Sequence, residues 1–130
     1  MKRKYLDDIG VADRPDTWCP NDDRQPEWDK EQAEYGFDER ETWSMEYTFY
    51  CWLYERLKMF LDVNCIDLTF HKFEFEGETL TQQECIDRML TGCATYFNCE
   101  DYRWDATEEE VKIIEDVAKI WALVLPAMWW

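Results

Sequence analysis

Apolar residues recur at helical spacing in three stretches of the chain and alternate in a fourth. In "FDERETWSMEYTFYCWLYERLKMFLDVN", Trp43, Tyr47, Tyr50, Tyr54, Leu57 and Leu61 fall on one stripe, which predicts a helix over 38–62. Asp38 and Glu41 have capping-box spacing at its start, which would leave Ser44 inside the helix. Residues 47–54 are apolar nearly all round, so this helix should be central. Ile86, Met89, Leu90, Cys93 and Phe97 give a second inner face over 82–97, opened by Thr81 and Glu84 and weakened by Gly92. Val111, Ile114, Val117, Ile120, Trp121 and Val124 give a third over 107–125, where Thr107 caps with Glu110 and Pro126 should end or kink the helix. "IDLTFHKFEFEGETLT" alternates through Ile66, Leu68, Phe70, Phe73 and Phe75, which predicts a hairpin near 66–80. Its turn is at Gly77 and the alternation slips near His71.

The two ends of the chain lack such periods. Residues 1–37 read as an irregular arm, because Pro15, Pro20 and Pro26 interrupt any continuous helix. Trp18 and Trp28 should pin this arm to the rest, and a short helix over 29–35 should stop at Gly36. The chain closes on "WALVLPAMWW". Leu125 precedes a proline and is expected to leave helical geometry. The tail should then turn back as a lid, with Met128 and Trp129 laid across the middle helix, Trp129 mostly buried and Trp130 at the rim. The competing reading is an exposed anchor for a dimer or partner. The fold class expected is α+β and mostly helical. About three main helices surround an aromatic core, with a small β-hairpin, an arm over 1–37 packed on a helical region over 38–130, and a single domain overall.

Charge changes the picture. Thirty acidic residues oppose 14 basic ones, for a net charge of -16, yet 46% of residues are hydrophobic and 17% aromatic. A disordered acidic chain would be poor in aromatics, so the chain should be compact. The acid excess disfavours direct contact with nucleic-acid phosphates or an anionic membrane surface. It suits a basic protein surface, or serves solubility alone. Six cysteines at 19, 51, 65, 85, 93 and 99 form no CxxC pair, which argues against a zinc ribbon or redox motif. "MKRKYLDDIG" lacks the apolar stretch of a signal peptide, and no apolar run approaches a bilayer span. A cytoplasmic protein with reduced, mostly buried thiols is expected.

Elimination bounds the chemistry. Ser44 and His71 are the sole serine and histidine, so a Ser-His site would need both, and a Cys-His site would pair His71 with Cys65 or Cys85. Four glycines cannot build a phosphate-cradling loop. Glu31 with Glu34, and Glu84 with Asp87, have the spacing of carboxylate pairs that hold magnesium in all-helical nucleotide pyrophosphohydrolases. In so acidic a chain the plainer reading is solvated helix faces. "NDDRQ" and "CEDYRWDATEEE" lack the glycine of a calcium loop. No catalytic residue, metal or cofactor is assigned. The densest charge lies in 100–116, with eight acids and two basic residues. The candidate partner-binding residues are Glu100, Asp101, Asp105, Glu108, Glu109 and Glu110, with Tyr102 and Trp104 as aromatic anchors.

At "DTWCPNDDRQPEWDKEQAEYGFDERETW", "FYCWLYERLKMFLDVNCIDL" and "IWALVLPAMWW" the chain resembles small uncharacterised acidic proteins encoded by phages and prophages of gut bacteria. The resemblance spans most of the chain and brings no catalytic motif. It implies an accessory phage protein in the cytoplasm of the bacterial host. The function expected is inhibition of a bacterial defence or host enzyme by protein–protein contact, in the manner of an anti-CRISPR or another binder of a nucleic-acid groove. Two alternatives stay open. One is a nucleotide-binding protein, either a metal-dependent pyrophosphohydrolase or a sponge for a nucleotide signal, with Arg56, Lys58 and Arg88 nearest to hand for the anion. The other is a structural homodimer.

Overall fold

The structure is a computed structural model and describes residues 3–130. The first two residues of the expected arm lie outside it. The fold is α+β and mostly helical. Among the described residues, five helices, α1 (Gln25–Tyr35), α2 (Met45–Val63), α3 (Gln82–Phe97), α4 (Tyr102–Asp105) and α5 (Glu108–Val124), accompany one antiparallel hairpin, β1 (Lys72–Phe75) and β2 (Glu78–Thr81). Short 3-10 turns lie at Asp7–Ile9, Pro15–Thr17, Glu39–Thr42 and Leu125–Ala127. The chain divides into two compact units, Met1–Glu55 and Arg56–Trp130, with the division inside α2.

In the first unit the irregular segment is ordered by side chains rather than by a ladder. Pro15 starts a 3-10 turn and Pro26 sits in the first turn of α1, where a missing N–H is harmless. Gly36 ends α1 in the left-handed conformation, with its N–H on the Gln32 carbonyl. Trp28 is fully buried and donates its indole N–H to Glu39 (2.8 Å). Trp18 stacks on Trp43 (6.4 Å between centroids), and Trp28 meets Trp43 edge-on. The guanidinium groups of Arg24 and Arg40 lie over the Trp28 ring at 4.9 and 4.4 Å. The Glu55 carboxylate accepts both the Tyr5 and Leu6 backbone N–H groups (2.8 Å each), which ties the arm to α2.

The start of α2 differs from the sequence expectation. Asp38 does cap, but it caps the 3-10 turn Glu39–Thr42, accepting from the Arg40 N–H. The α-helix begins at Met45, and the Ser44 hydroxyl accepts the Tyr47 N–H (3.3 Å). Ser44 is therefore a cap rather than a mid-helix residue. The reason is Arg40, whose side chain folds back onto Asp38 and fixes a tight turn in place of a capping box with Glu41.

In the second unit, α3 and α5 form the main helix pair. Ile86, Met89 and Cys93 of α3, and Ile114, Val117, Ile120 and Val124 of α5, are buried. At Gly92 the two helices approach closely. A Cβ there would lie 2.2 Å from a Val117 methyl and 2.7 Å from the Ile113 carbonyl oxygen. Both expected capping boxes are present, Thr81 with Glu84 and Thr107 with Glu110. The hairpin pairs Phe73 with Leu80 and Phe75 with Glu78. Its two-residue turn, Glu76–Gly77, has both φ angles positive (51° and 82°), which suits the right-handed twist of the strands. It is shorter than predicted. Residues 66–71 are not strand, because Asp67 folds them into a turn: its Oδ1 accepts the Thr69 N–H and its carbonyl accepts the Phe70 N–H.

The tail overturns two expectations. Leu125 stays helical (φ -48°, ψ -43°), and the bend comes after it, in the 3-10 turn Leu125–Ala127 and a γ-turn in which the Trp129 N–H meets the Ala127 carbonyl. Trp129 is not a buried lid but 74% exposed, and Trp130 is 57% exposed. The tail is held instead by Gln82. Its buried amide donates to the Ala127 carbonyl (3.2 Å) and lies 3.4 Å from the Met128 sulfur, which stops the chain before Trp129 can turn inward.

Candidate partner-binding site

The acidic segment 100–110 is built on α4 and the first turn of α5. Asp101 opens α4 by accepting the Arg103 N–H (3.1 Å), and its carbonyl accepts from Trp104 and Asp105. The Asp105 carboxylate closes the loop by accepting the Glu100 N–H (2.9 Å). This four-residue helix faces its residues in different directions. Tyr102 turns inward, buried against Tyr96 (5.9 Å), with the Arg103 guanidinium over its ring (4.7 Å). It holds the loop down and is not available as a surface anchor. Trp104 turns outward and is 86% exposed, with no ring stacked on it.

Glu108 and Glu109 are exposed in the first turn of α5, where the helix dipole favours negative charge. Glu110 is half-buried, and its carboxylate accepts the Thr107 N–H (3.0 Å) to complete the capping box. The two cations of the segment are engaged. Arg103 pairs with Asp101 (3.5 Å), and Lys112 bonds Glu76 (2.7 Å) and Asp116 (2.9 Å). Among the described residues, Glu100, Asp105, Glu108, Glu109 and Glu110 have no ion-pair partner. Their field reaches Cys99: burial first, then the charges of Asp105 and Glu110, push its thiol above the ordinary range. The segment therefore exposes Glu100, Asp101, Asp105, Glu108 and Glu109 together with the Trp104 indole, with Tyr102 and Glu110 serving the scaffold.

The other chemical candidates are dispersed. Ser44 is a helix cap, His71 is exposed beside Phe70, and Cys85 is fully buried with its thiol raised by that burial. Glu84 serves the capping box, Asp87 accepts from Gln83 (2.9 Å), and Glu34 lies 4.0 Å from Lys30. Among the described residues, no three His, Cys, Asp or Glu side chains gather as metal ligands. A cleft of 310 Å³ opens between α3 and α5, lined by Asp87, Arg88, Thr91, Ile113, Asp116 and Ile120. It offers two carboxylates and one guanidinium already paired with Glu78, the reverse of what an anionic nucleotide requires. No helix of the described residues is long and apolar enough to cross a membrane. Comparison of the chain with protein-family models, with curated proteins and with solved structures finds no match.

Proposed function

We propose that this protein is an acidic interaction protein that docks on the basic, nucleic-acid-binding groove of a bacterial enzyme and inhibits it. The observation that carries this reading is Trp104, 86% exposed in a segment whose Glu100, Asp105, Glu108 and Glu109 are exposed and have no ion-pair partner among the described residues. An indole so open to water contributes little to the fold, whereas tryptophan is among the residues that most often anchor an interface. The acids supply long-range steering toward Lys- and Arg-lined surfaces and raise the rate of encounter more than the final affinity. The resemblance to small acidic phage and prophage proteins supports a setting in the bacterial cytoplasm and a defence or host enzyme as the target.

The test is affinity capture from bacterial lysate with the wild-type protein, with Trp104→Ala, and with Glu100, Asp105, Glu108 and Glu109 changed together to lysine. The reading expects a captured nucleic-acid-binding enzyme that is released by its own nucleic acid. Trp104→Ala should weaken its binding by at least about thirtyfold. Charge reversal or high salt should slow its association. Capture indifferent to salt, to charge reversal and to competing nucleic acid would refute the reading.

A further inference from the structure

We propose that the cleft between the 66–71 turn and the C-terminal turn is a receptor for a guanidinium group, and that it takes an arginine side chain of a protein partner. The cleft measures 290 Å³ and is lined by Ile66, Asp67, Phe70, His71, Ala127 and Trp129. That volume is at the small end of ligand sites, enough for one side chain rather than a folded surface. Two of its aromatic walls are unusually open: Phe70 is 76% exposed and Trp129 is 74% exposed. A single exposed aromatic is ordinary, but two around one cleft leave adjacent apolar area in water.

The acidic member decides the ligand. Asp67 Oδ1 accepts both the N–H and the hydroxyl of Thr69 (2.9 and 2.6 Å), which fixes the carboxylate and leaves Oδ2 for a donor. Lys72 acts on Asp67 through its charge but does not line the cleft. A carboxylate beside aromatic faces selects a cation. A planar guanidinium satisfies both at once, since it stacks on rings and donates to carboxylate oxygens, whereas a lysine ammonium cannot stack. The net charge of -16 draws cations and repels anions.

The walls are also pre-set. Gln82 donates its backbone N–H to the His71 carbonyl (3.2 Å) and its side-chain amide to the Ala127 carbonyl (3.2 Å). One buried residue thus holds both sides of the cleft, so a ligand would not have to order them. The inference shares no residue with the acidic segment and holds whether or not that segment docks.

The experiment follows the Trp129 indole N–H by ¹H–¹⁵N NMR, assigned with Trp129→Phe, during titration with N-acetyl-arginine amide. N-acetyl-citrulline amide supplies the neutral isostere and N-acetyl-lysine amide the non-planar cation. Arginine amide is expected to give a saturable shift, lysine amide a weaker one and citrulline amide none. Asp67→Asn and Phe70→Leu should each weaken arginine binding about two- to thirtyfold, while their spectra stay those of a folded protein. Glu108→Lys with Glu109→Lys should leave it unchanged, which separates this site from the acidic face. A Trp129 signal that does not move, that moves equally with citrulline amide, or that responds unchanged in Asp67→Asn would overturn the proposal.

Discussion

Asp38 is the residue whose loss should damage the first unit most. It is fully buried, and its carboxylate accepts four hydrogen bonds: from the Arg40 N–H (2.9 Å), Arg40 Nε (3.0 Å), Arg40 Nη2 (2.8 Å) and Gln32 Nε2 (2.8 Å). Arg40 is itself buried and, if Asp38 is removed, keeps the Trp18 carbonyl (3.0 Å), the Trp28 ring and the charges of Asp16 and Asp29 but no carboxylate hydrogen bond. Asp38→Ala therefore strands a buried guanidinium, at a cost of about 3–5 kcal/mol, a large part of the stability of an ordinary domain. Removing both partners strands nothing, so Asp38→Ala with Arg40→Ala should lose about 1–3 kcal/mol less than the sum of the single losses. pH supplies an independent arm. Burial is the largest single influence on Asp38 and raises its pKa, but the bonds from Arg40 and Gln32 and the Arg40 charge together outweigh it and leave the group below the ordinary range. A depressed carboxylate stabilises the fold above its unfolded pKa of about 3.9, and that contribution is lost as pH falls through the folded value. Urea unfolding at neutral pH should show the full difference between wild type and Asp38→Asn, and the difference should shrink below about pH 4. A neutral-pH loss under about 1 kcal/mol for Asp38→Ala, or single losses that simply add, would refute the argument.

Gly92→Ala improves helix propensity by about 1 kcal/mol but forces a methyl against Val117 and the Ile113 carbonyl, so thermal melts should show a net loss of about 1–3 kcal/mol. A raised melting temperature would mean that α3 and α5 lie further apart than described. Trp129→Ala should change stability by no more than about 0.5 kcal/mol in the same assay, because the ring is mostly in water. In timed alkylation read by mass spectrometry, the exposed Cys19 and Cys65 should label first. Cys51, whose thiol is pushed up to about 12, chiefly by burial, should label only on unfolding. Native-state labelling of Cys51 at the rate of Cys65 would contradict its placement.

What was legible in the chain was whatever local chemistry decides alone. The capping boxes at Thr81 and Thr107 need only residues three apart, and the apolar faces of α3 and α5 need only a period. The errors lie where another side chain, near or far in sequence, competes with the periodic pattern. Asp38 and Glu41 have the spacing of a cap, but Arg40 draws Asp38 into a buried pair and shifts the start of α2 to Met45. The alternation at Ile66–Phe70 reads as strand, yet Asp67 accepts from Thr69 and makes a turn of it. Within the acidic segment, composition could not separate Tyr102 from Trp104. A four-residue helix points them in different directions, and that difference decides which ring can meet a partner. The tail is the sharpest case. An expected turn before Pro126 and the hydrophobicity of an indole together assigned Trp129 to the interior. The decision rests instead with Gln82, 45 residues away from Ala127 in sequence, whose amide fixes the last turn. A polar residue at the first position of a helix carries no sequence signal for such a role. Its consequence, an exposed Trp129 beside Asp67 and Phe70, is what turns a failed lid into the wall of a cleft.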